Sequence, residues 1–346
     1  MKNPQIILCL FMLTCLIACE QKAVSIQNTQ ELDSNTVDEV MTDASVSLDA
    51  STSAADSSVD AEPTVTEMGP IYPEAVLGLS EYSLEHNGLT REYLLYVPQS
   101  YSVDTATPVI LNFHGNGGLA RYHLQLADMR ELADQENVIL IYPQGSLLDG
   151  EESHWNPLLA SETNKSDVDD FGFVSLILDE VSRRLNVDAT RVYATGYSNG
   201  AGLAYGLVCY LSDRITAAAP VSGSMYIEMS DNCNASHPTA IAIFNGTEDF
   251  IRPYAGYTDY LLPVDDAVEF WRTYNQIEGS PTIDRFDTNG LTVERSVYSG
   301  GNGDVSVDLY KVIGGDHVWF DINLNGDDLN QTIWRFFSRF DSNGLR

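Results

Sequence analysis

Apolar and polar residues alternate over Glu81–His86 and again over Arg91–Val97, on either side of Asn87-Gly88. Period-two alternation marks half-buried strands and Asn-Gly is a hairpin turn signal, so these runs predict a β-hairpin. Beyond it the pattern changes. Pro108–Phe113, Val138–Tyr142, Arg191–Thr195, Ile215–Val221 and Thr239–Phe244 are short, nearly continuous apolar runs, as expected of strands buried on both faces. Helical segments separate them. Tyr122–Gln135 has a helical period, Asp169–Asn186 spaces Phe173, Ile177, Val181 and Leu185 four apart, and Ala201–Leu211 is rich in Ala, Leu and small residues. Pro263–Ile277 and Leu329–Phe340 read as later helices. Leu291–Tyr298 and Val305–Val312 read as strands joined through Gly300-Gly301-Asn302-Gly303. A polar loop with Trp155 follows Tyr142, and a loop with Cys233 precedes Thr239. Strands alternating with helices predict an α/β fold, a mostly parallel sheet covered on both faces, with the leading hairpin as its antiparallel N-terminal edge.

The ends of the chain follow another pattern. After a short positive start, Ile6–Ala18 is almost unbroken apolar sequence, too short for a membrane span of about 20 residues. It closes on Leu16-Ile17-Ala18-Cys19, which resembles a bacterial lipobox, so residues 1–19 are expected to be a lipoprotein signal peptide with Cys19 the lipidated residue. An ordinary secretory signal is the alternative. Glu20, rather than Asp, favours an outer-membrane or surface location. Residues 20–70 hold eleven acids and one base with almost no aromatics, a composition that predicts a disordered tether, or else an acidic interaction tail. Residues 71–346 then form one catalytic domain.

The whole chain has 50 acidic and 18 basic residues, a net charge of −32, of which the tether accounts for about a third. Nucleic acid and anionic lipid surfaces are therefore poor partners, no nucleic acid is expected, and a membrane is expected to be reached only through Cys19. Cys209 and Cys233 alone fall in the folded part. An even number in an exported protein suggests one disulfide, with two free buried thiols as the alternative.

The chemistry centres on Gly196-Tyr197-Ser198-Asn199-Gly200, which lies between an expected strand and an expected helix. That arrangement is the nucleophile elbow of α/β-hydrolases, which places a serine above the sheet at a helix N-terminus. A serine hydroxyl needs a histidine to accept its proton and a carboxylate to orient that histidine. Of the six histidines only His237 and His317 lie downstream. His237 reads as a loop residue before Pro238, whereas His317 follows a strand through the flexible Gly314-Gly315-Asp316. The acid is Asp249 or Glu248, both after the strand Thr239–Phe244. The tetrahedral oxyanion needs two backbone N–H donors, one of them on Asn199.

Several motifs occur in a specific order: Phe113-His114-Gly115, Tyr142-Pro143-Gln144-Gly145, Asp169-Asp170-Phe171-Gly172-Phe173, the elbow, and Ala218-Ala219-Pro220-Val221-Ser222-Gly223. Asn245-Gly246-Thr247-Glu248-Asp249 with Pro253-Tyr254, Gly314-Gly315-Asp316-His317-Val318-Trp319 and Ile333-Trp334-Arg335-Phe336-Phe337 complete the set. From about Ser83 onward the chain resembles the secreted α/β-hydrolase esterases that include polyhydroxybutyrate depolymerases, feruloyl esterases and acetylxylan esterases. The resemblance implies Asp249 as the acid, His317 as the base, Asn116 as the second oxyanion donor, His114 as a structural support, and a Cys209–Cys233 disulfide. Asn245, Asp316 and Phe320 depart from the family pattern without removing a catalytic group.

Trp155, Trp319 and Phe320 are candidate substrate-binding aromatics, with core packing as the alternative. Asp321–Asp327 matches half of a calcium loop but lacks its closing glutamate, so a polar turn with Asp327 or Asp328 capping the last helix is preferred and no metal is expected. No cofactor is expected either. The function that follows is a lipid-anchored serine carboxylesterase acting on a small-molecule, polysaccharide-linked or polyester substrate. A serine peptidase and a non-catalytic surface binding protein are the competing classes.

Overall fold

The computed structural model describes residues 72, 75–148 and 150–346. The signal peptide, Cys19 and the acidic segment lie outside the described residues. Strands β1 (Gly78–His86) and β2 (Leu89–Val97) form the expected hairpin, with Asn87 at φ +50° and Gly88 at φ +79° in the turn. β3 (Thr107–Phe113) and β4 (Ile139–Pro143) are buried along their whole length. So are β8 (Ala217–Val221) and β9 (Ala240–Gly246), while β7 (Val187–Tyr197) is buried over its second half. With β10 (Thr282–Thr288), β11 (Leu291–Tyr298) and β12 (Val307–Ile313) these make one ten-stranded sheet, in the order β1-β2-β4-β3-β7-β8-β9-β12-β11-β10. The central strands β4, β3, β7, β8, β9 and β12 are parallel. Antiparallel pairs close both edges, β1–β2 at one and β11–β10 at the other.

Successive strand residues point to opposite faces, so Leu94, Ile110 and Leu140 pack on one side of the sheet and Leu95, Leu111 and Ile141 on the other. Helices α3 (Asp170–Arg184), α4 (Asn199–Tyr210) and α6 (Val264–Tyr274) cover the second face through Phe173, Ile177, Leu203, Leu207 and Trp271. Helices α1 (Ala120–Leu126), α2 (Arg130–Glu136) and α7 (Leu329–Phe337) cover the first through Leu124, Leu132, Ile333 and Phe337. Among the described residues no helix is long and apolar enough to cross a membrane.

Four features differ from the sequence reading. The single helix expected over Tyr122–Gln135 is two, α1 and α2, because the Asp128 carboxylate accepts the Arg130 N–H at 3.1 Å and turns the chain between them. The polar loop around Trp155 contains a small hairpin, β5 (Ser146–Leu148) with β6 (Glu152–His154). A short helix, α5 (Ile227–Asn232), precedes Cys233. The second antiparallel edge rests on β10, whose mostly exposed residues carry no period-two signal. The calcium-like segment is a turn in which the Asn323 carboxamide oxygen accepts the Gly326 N–H at 2.8 Å. Asp328, not Asp327, caps α7, in a reciprocal box with Gln331. Cys209 at the end of α4 is disulfide-bonded to Cys233.

Candidate active site

Three loops at the C-terminal ends of β7, β9 and β12 meet above the sheet, where parallel α/β sheets present their crevice. At the end of β7, Ser198 has φ +55° and ψ −111°, a conformation non-glycine residues avoid and which persists only when surrounding structure enforces it. The enforcement is visible in its neighbours. A Cβ on Gly200 would lie 2.3 Å from the Phe113 carbonyl oxygen, and one on Gly196 would lie 2.7 Å from the Gly200 carbonyl. Only glycine lets strand, turn and helix approach so closely, and α4 starts at Asn199 as a result.

His317 stands on the loop after β12. Its Nδ1–H donates to Asp249 Oδ2 at 2.7 Å, and its Nε2 faces the Ser198 hydroxyl at 2.9 Å. The second Asp249 oxygen accepts the N–H groups of Ile251 and Arg252 at 2.8 and 2.7 Å, so the carboxylate is fixed from two sides. Of the two carboxylates between which the sequence left a choice, Asp249 is buried and meets His317, whereas Glu248 is exposed. The loops after β9 and β12 touch at their backbones: a Cβ on Gly246 would lie 2.2 Å from the Gly315 carbonyl oxygen. The Asp316 carboxylate turns back to its own loop and accepts the His317 N–H at 2.7 Å. Asn245, buried at the end of β9, donates to the Gly223 carbonyl at 2.9 Å and so joins the loops after β8 and β9.

Two further residues hold the backbone of the His317 loop, and the sequence reading passed over both. The Tyr197 hydroxyl donates to the His317 carbonyl at 2.8 Å, with the two rings 5.0 Å apart. Burial pushes its phenol up to about 12, so it remains a donor. Ser222, at φ +48°, donates to the Val318 carbonyl at 2.7 Å. Tyr197 is the variable second residue of G-x-S-x-G, and that position carries no type preference that would have marked it.

The loop after β3 closes the fourth side. A Cβ on Gly115, the residue before Asn116, would lie 3.3 Å from Ser198 Cβ. The Asn116 side chain donates to Glu152 and accepts from Lys165 Nζ at 2.6 Å. His114 is buried with both ring nitrogens occupied: Nδ1–H donates to the Gly115 carbonyl at 2.7 Å and Nε2 accepts the Gly145 N–H at 2.9 Å. Desolvation lowers its pKa to about 4, so it is a neutral brace of this loop.

The candidate aromatics separate. Trp155 is 1% exposed and Phe320 2% exposed, so both belong to the packed interior and offer a substrate no surface, contrary to their nomination as binding residues. Trp319 is half-buried, edge-on to His123 at 5.6 Å, with its indole N–H on Asn330. Exposed apolar surface instead comes from Phe250 and Ile251, 78% and 61% exposed directly after Asp249, and from Val318 after His317. Among the described residues no group of three or more His, Cys, Asp or Glu side chains is placed to hold a metal ion.

Comparison with known proteins agrees with this architecture. Residues 91–239, which include Asn116 and Ser198, match the family described as esterase PHB depolymerase. The chain is 26% identical over 251 residues to feruloyl esterase B of Piromyces equi, covering 70% of this chain and 45% of that protein. It is 27% identical over 183 residues to a bifunctional acetylxylan esterase/xylanase of Neocallimastix patriciarum, covering 53% of this chain and 25% of that protein. The chain thus spans less than half the length of either relative. The acetyl xylan esterase of Aspergillus awamori superposes with a TM-score of 0.54 at 14% identity, over 75% of this chain and 99% of that one, a likeness of fold alone. The fold is that of the α/β-hydrolases, and segment 91–239 is similar to the esterase PHB depolymerase family.

Proposed function

We propose that the protein is a serine carboxylesterase whose nucleophile, base and acid are Ser198, His317 and Asp249. The continuous chain of hydrogen bonds, 2.7 Å from Asp249 to His317 and 2.9 Å from His317 to Ser198, is the observation that carries this reading. The Ser198 oxygen attacks the ester carbonyl carbon while its proton passes to His317 Nε2. The Asp249 carboxylate keeps Nδ1 protonated and stabilises the imidazolium. The tetrahedral oxyanion accepts the backbone N–H groups of Asn199 and Asn116, each worth about 3–4 kcal/mol to the transition state. Collapse breaks the C–O bond to the alcohol, which leaves with the proton from His317. Water then repeats the sequence on the acyl-enzyme and releases the acid.

Substrate class is read from the relatives, which are named for feruloyl and acetylxylan esters, and from the family's polyhydroxybutyrate depolymerases. We favour small or polysaccharide-linked esters, with Phe250, Ile251 and Val318 as the apolar lip beside the acid and base. Export and anchoring through Cys19 complete the proposal, and loss of palmitate incorporation in Cys19→Ala is the measurement that bears on them. The test of the chemistry is a hydrolysis panel on p-nitrophenyl acetate, p-nitrophenyl butyrate, methyl ferulate, acetylated xylan and amorphous polyhydroxybutyrate, with Ser198→Ala alongside. Turnover of none of these by the parent protein would refute the esterase reading.

A further inference from the structure

An oxyanion hole built from Asn199 and Asn116 joins donors from two separate segments, the first residue of α4 and the loop after β3. Their spacing must hold within a fraction of an ångström for both N–H groups to reach one oxygen. One side chain bridges the two. The indole N–H of Trp155 donates to the His114 carbonyl at 2.9 Å, two residues before Asn116. The main chain of Trp155 is in turn gripped by the Asn199 carboxamide, which accepts the Trp155 N–H at 2.7 Å and donates to the Trp155 carbonyl at 3.0 Å. Trp155 is fully enclosed, edge-on to Phe113 at 5.3 Å and 5.0 Å from the His114 ring, so it has no freedom to absorb a displacement. The same chain segment reaches the loop a second time, where Gly117 N–H donates to the Ser153 carbonyl at 2.7 Å.

We infer that Trp155 is a positioning residue, a strut that sets the distance between the two oxyanion donors through its indole N–H on one side and the Asn199 carboxamide on the other. The inference rests on the proposed serine esterase reading and adds to it a residue that touches neither substrate nor triad. Asn199 then acts twice, as a donor through its backbone and as the anchor of the strut through its side chain.

The test is Trp155→Phe in the full chain, which keeps an aromatic ring against Phe113 and removes the N–H. Its kcat on p-nitrophenyl butyrate should fall at least about 10-fold with KM changed less than about twofold, the pattern of an interaction made only in the transition state. The Ki of an alkylboronic acid, whose tetrahedral adduct on Ser198 occupies the hole, should rise by a similar factor. The pH profile of kcat/KM should keep the parent's shape. Asn199→Ala, which keeps its backbone donor, should show the same split, and the double variant should lose little more than the worse single one. Parent-like kcat and boronate Ki in both variants would overturn the strut, as would a fall in melting temperature with both constants unchanged. Ser198→Ala, assayed in parallel, separates the two claims. If it is inactive while both strut variants turn over normally, only this inference fails; if it remains active, the serine reading itself fails.

Discussion

Ser198 sits in a strained backbone conformation with its hydroxyl 2.9 Å from His317 Nε2. Replacing Ser198 by Ala should lower turnover by about six orders of magnitude, and His317→Ala by a similar factor, since the two act as a unit. The double variant should therefore lose little beyond either single one. Asp249→Asn leaves serine and imidazole in place but presents an amide to Nδ1, so its loss should be smaller, though still on the order of 10⁴-fold if the wrong tautomer results. Glu248→Gln, on an exposed side chain, should stay within about twofold of the parent. Steady-state kinetics on p-nitrophenyl butyrate reads all four, and a dead Glu248→Gln beside an active Asp249→Asn would reverse the assignment. That Ser198, His317 and Asp249 meet was legible from the elbow motif, the scarcity of downstream histidines and, for Asp249 over Glu248, the family likeness. Tyr197, Ser222 and the Trp155 strut were not, because they act through backbone carbonyls that any residue supplies.

At the level of elements, strands with an apolar run or a period-two alternation were legible, and the exposed β10 was not. β3, β4, β8 and β9 announce themselves as apolar runs because both faces are covered. β10 is an edge strand whose residues are mostly exposed, so nothing in its composition distinguishes it from loop. The break between α1 and α2 arises from one Asx contact at Asp128, which hydrophobic period does not register. The disulfide between α4 and the end of α5 was legible from the number of cysteines and the family likeness. It closes a loop with a sequence separation of 24. In the chain-entropy model, loss of such a bond costs roughly 3 kcal/mol. Cys209→Ser with Cys233→Ser should lower the denaturation midpoint accordingly and leave kcat at low denaturant within about twofold, because neither sulfur reaches the site. Equal midpoints for parent and double variant under non-reducing conditions would refute this. The loop after β9 supports a second expectation: Phe250→Ala should raise KM for aryl esters several-fold while the reaction rate with a fluorophosphonate changes little. An unchanged KM would remove Phe250 from the lip.

The whole molecule joins two pH-dependent terms of opposite sign. At neutral pH its net charge of −32 repels itself, and protonating carboxylates on acidification relieves that repulsion. Buried histidines act the other way. Desolvation holds His114 at about 4 and His123 at about 3, and it lowers His154 as well, against 6.5 for each in the unfolded chain. Between pH 6.5 and those native values the unfolded state binds more protons, so stability is fully present above about pH 6.5 and falls as pH drops toward 4. Each proton contributes about 1.4 kcal/mol per pH unit, so the slope should approach roughly 3 kcal/mol per unit near pH 5. Carboxylates in the unfolded chain titrate mainly below about pH 4.5, so above pH 5 the histidine term should win. Denaturant unfolding at pH 7, 6 and 5 measures the slope. His123→Gln is the diagnostic variant, since the amide can still donate to the Asn112 carboxamide oxygen that His123 Nε2 meets at 2.7 Å. Its slope should fall by about one proton, whatever its midpoint at pH 7. Adding salt should raise stability at pH 7 by screening the surface charge and leave the histidine slope nearly unchanged, because that slope comes from desolvation rather than long-range repulsion. A flat profile from pH 7 to 5, or the same slope in parent and variant, would mean these histidines take up their protons without unfolding.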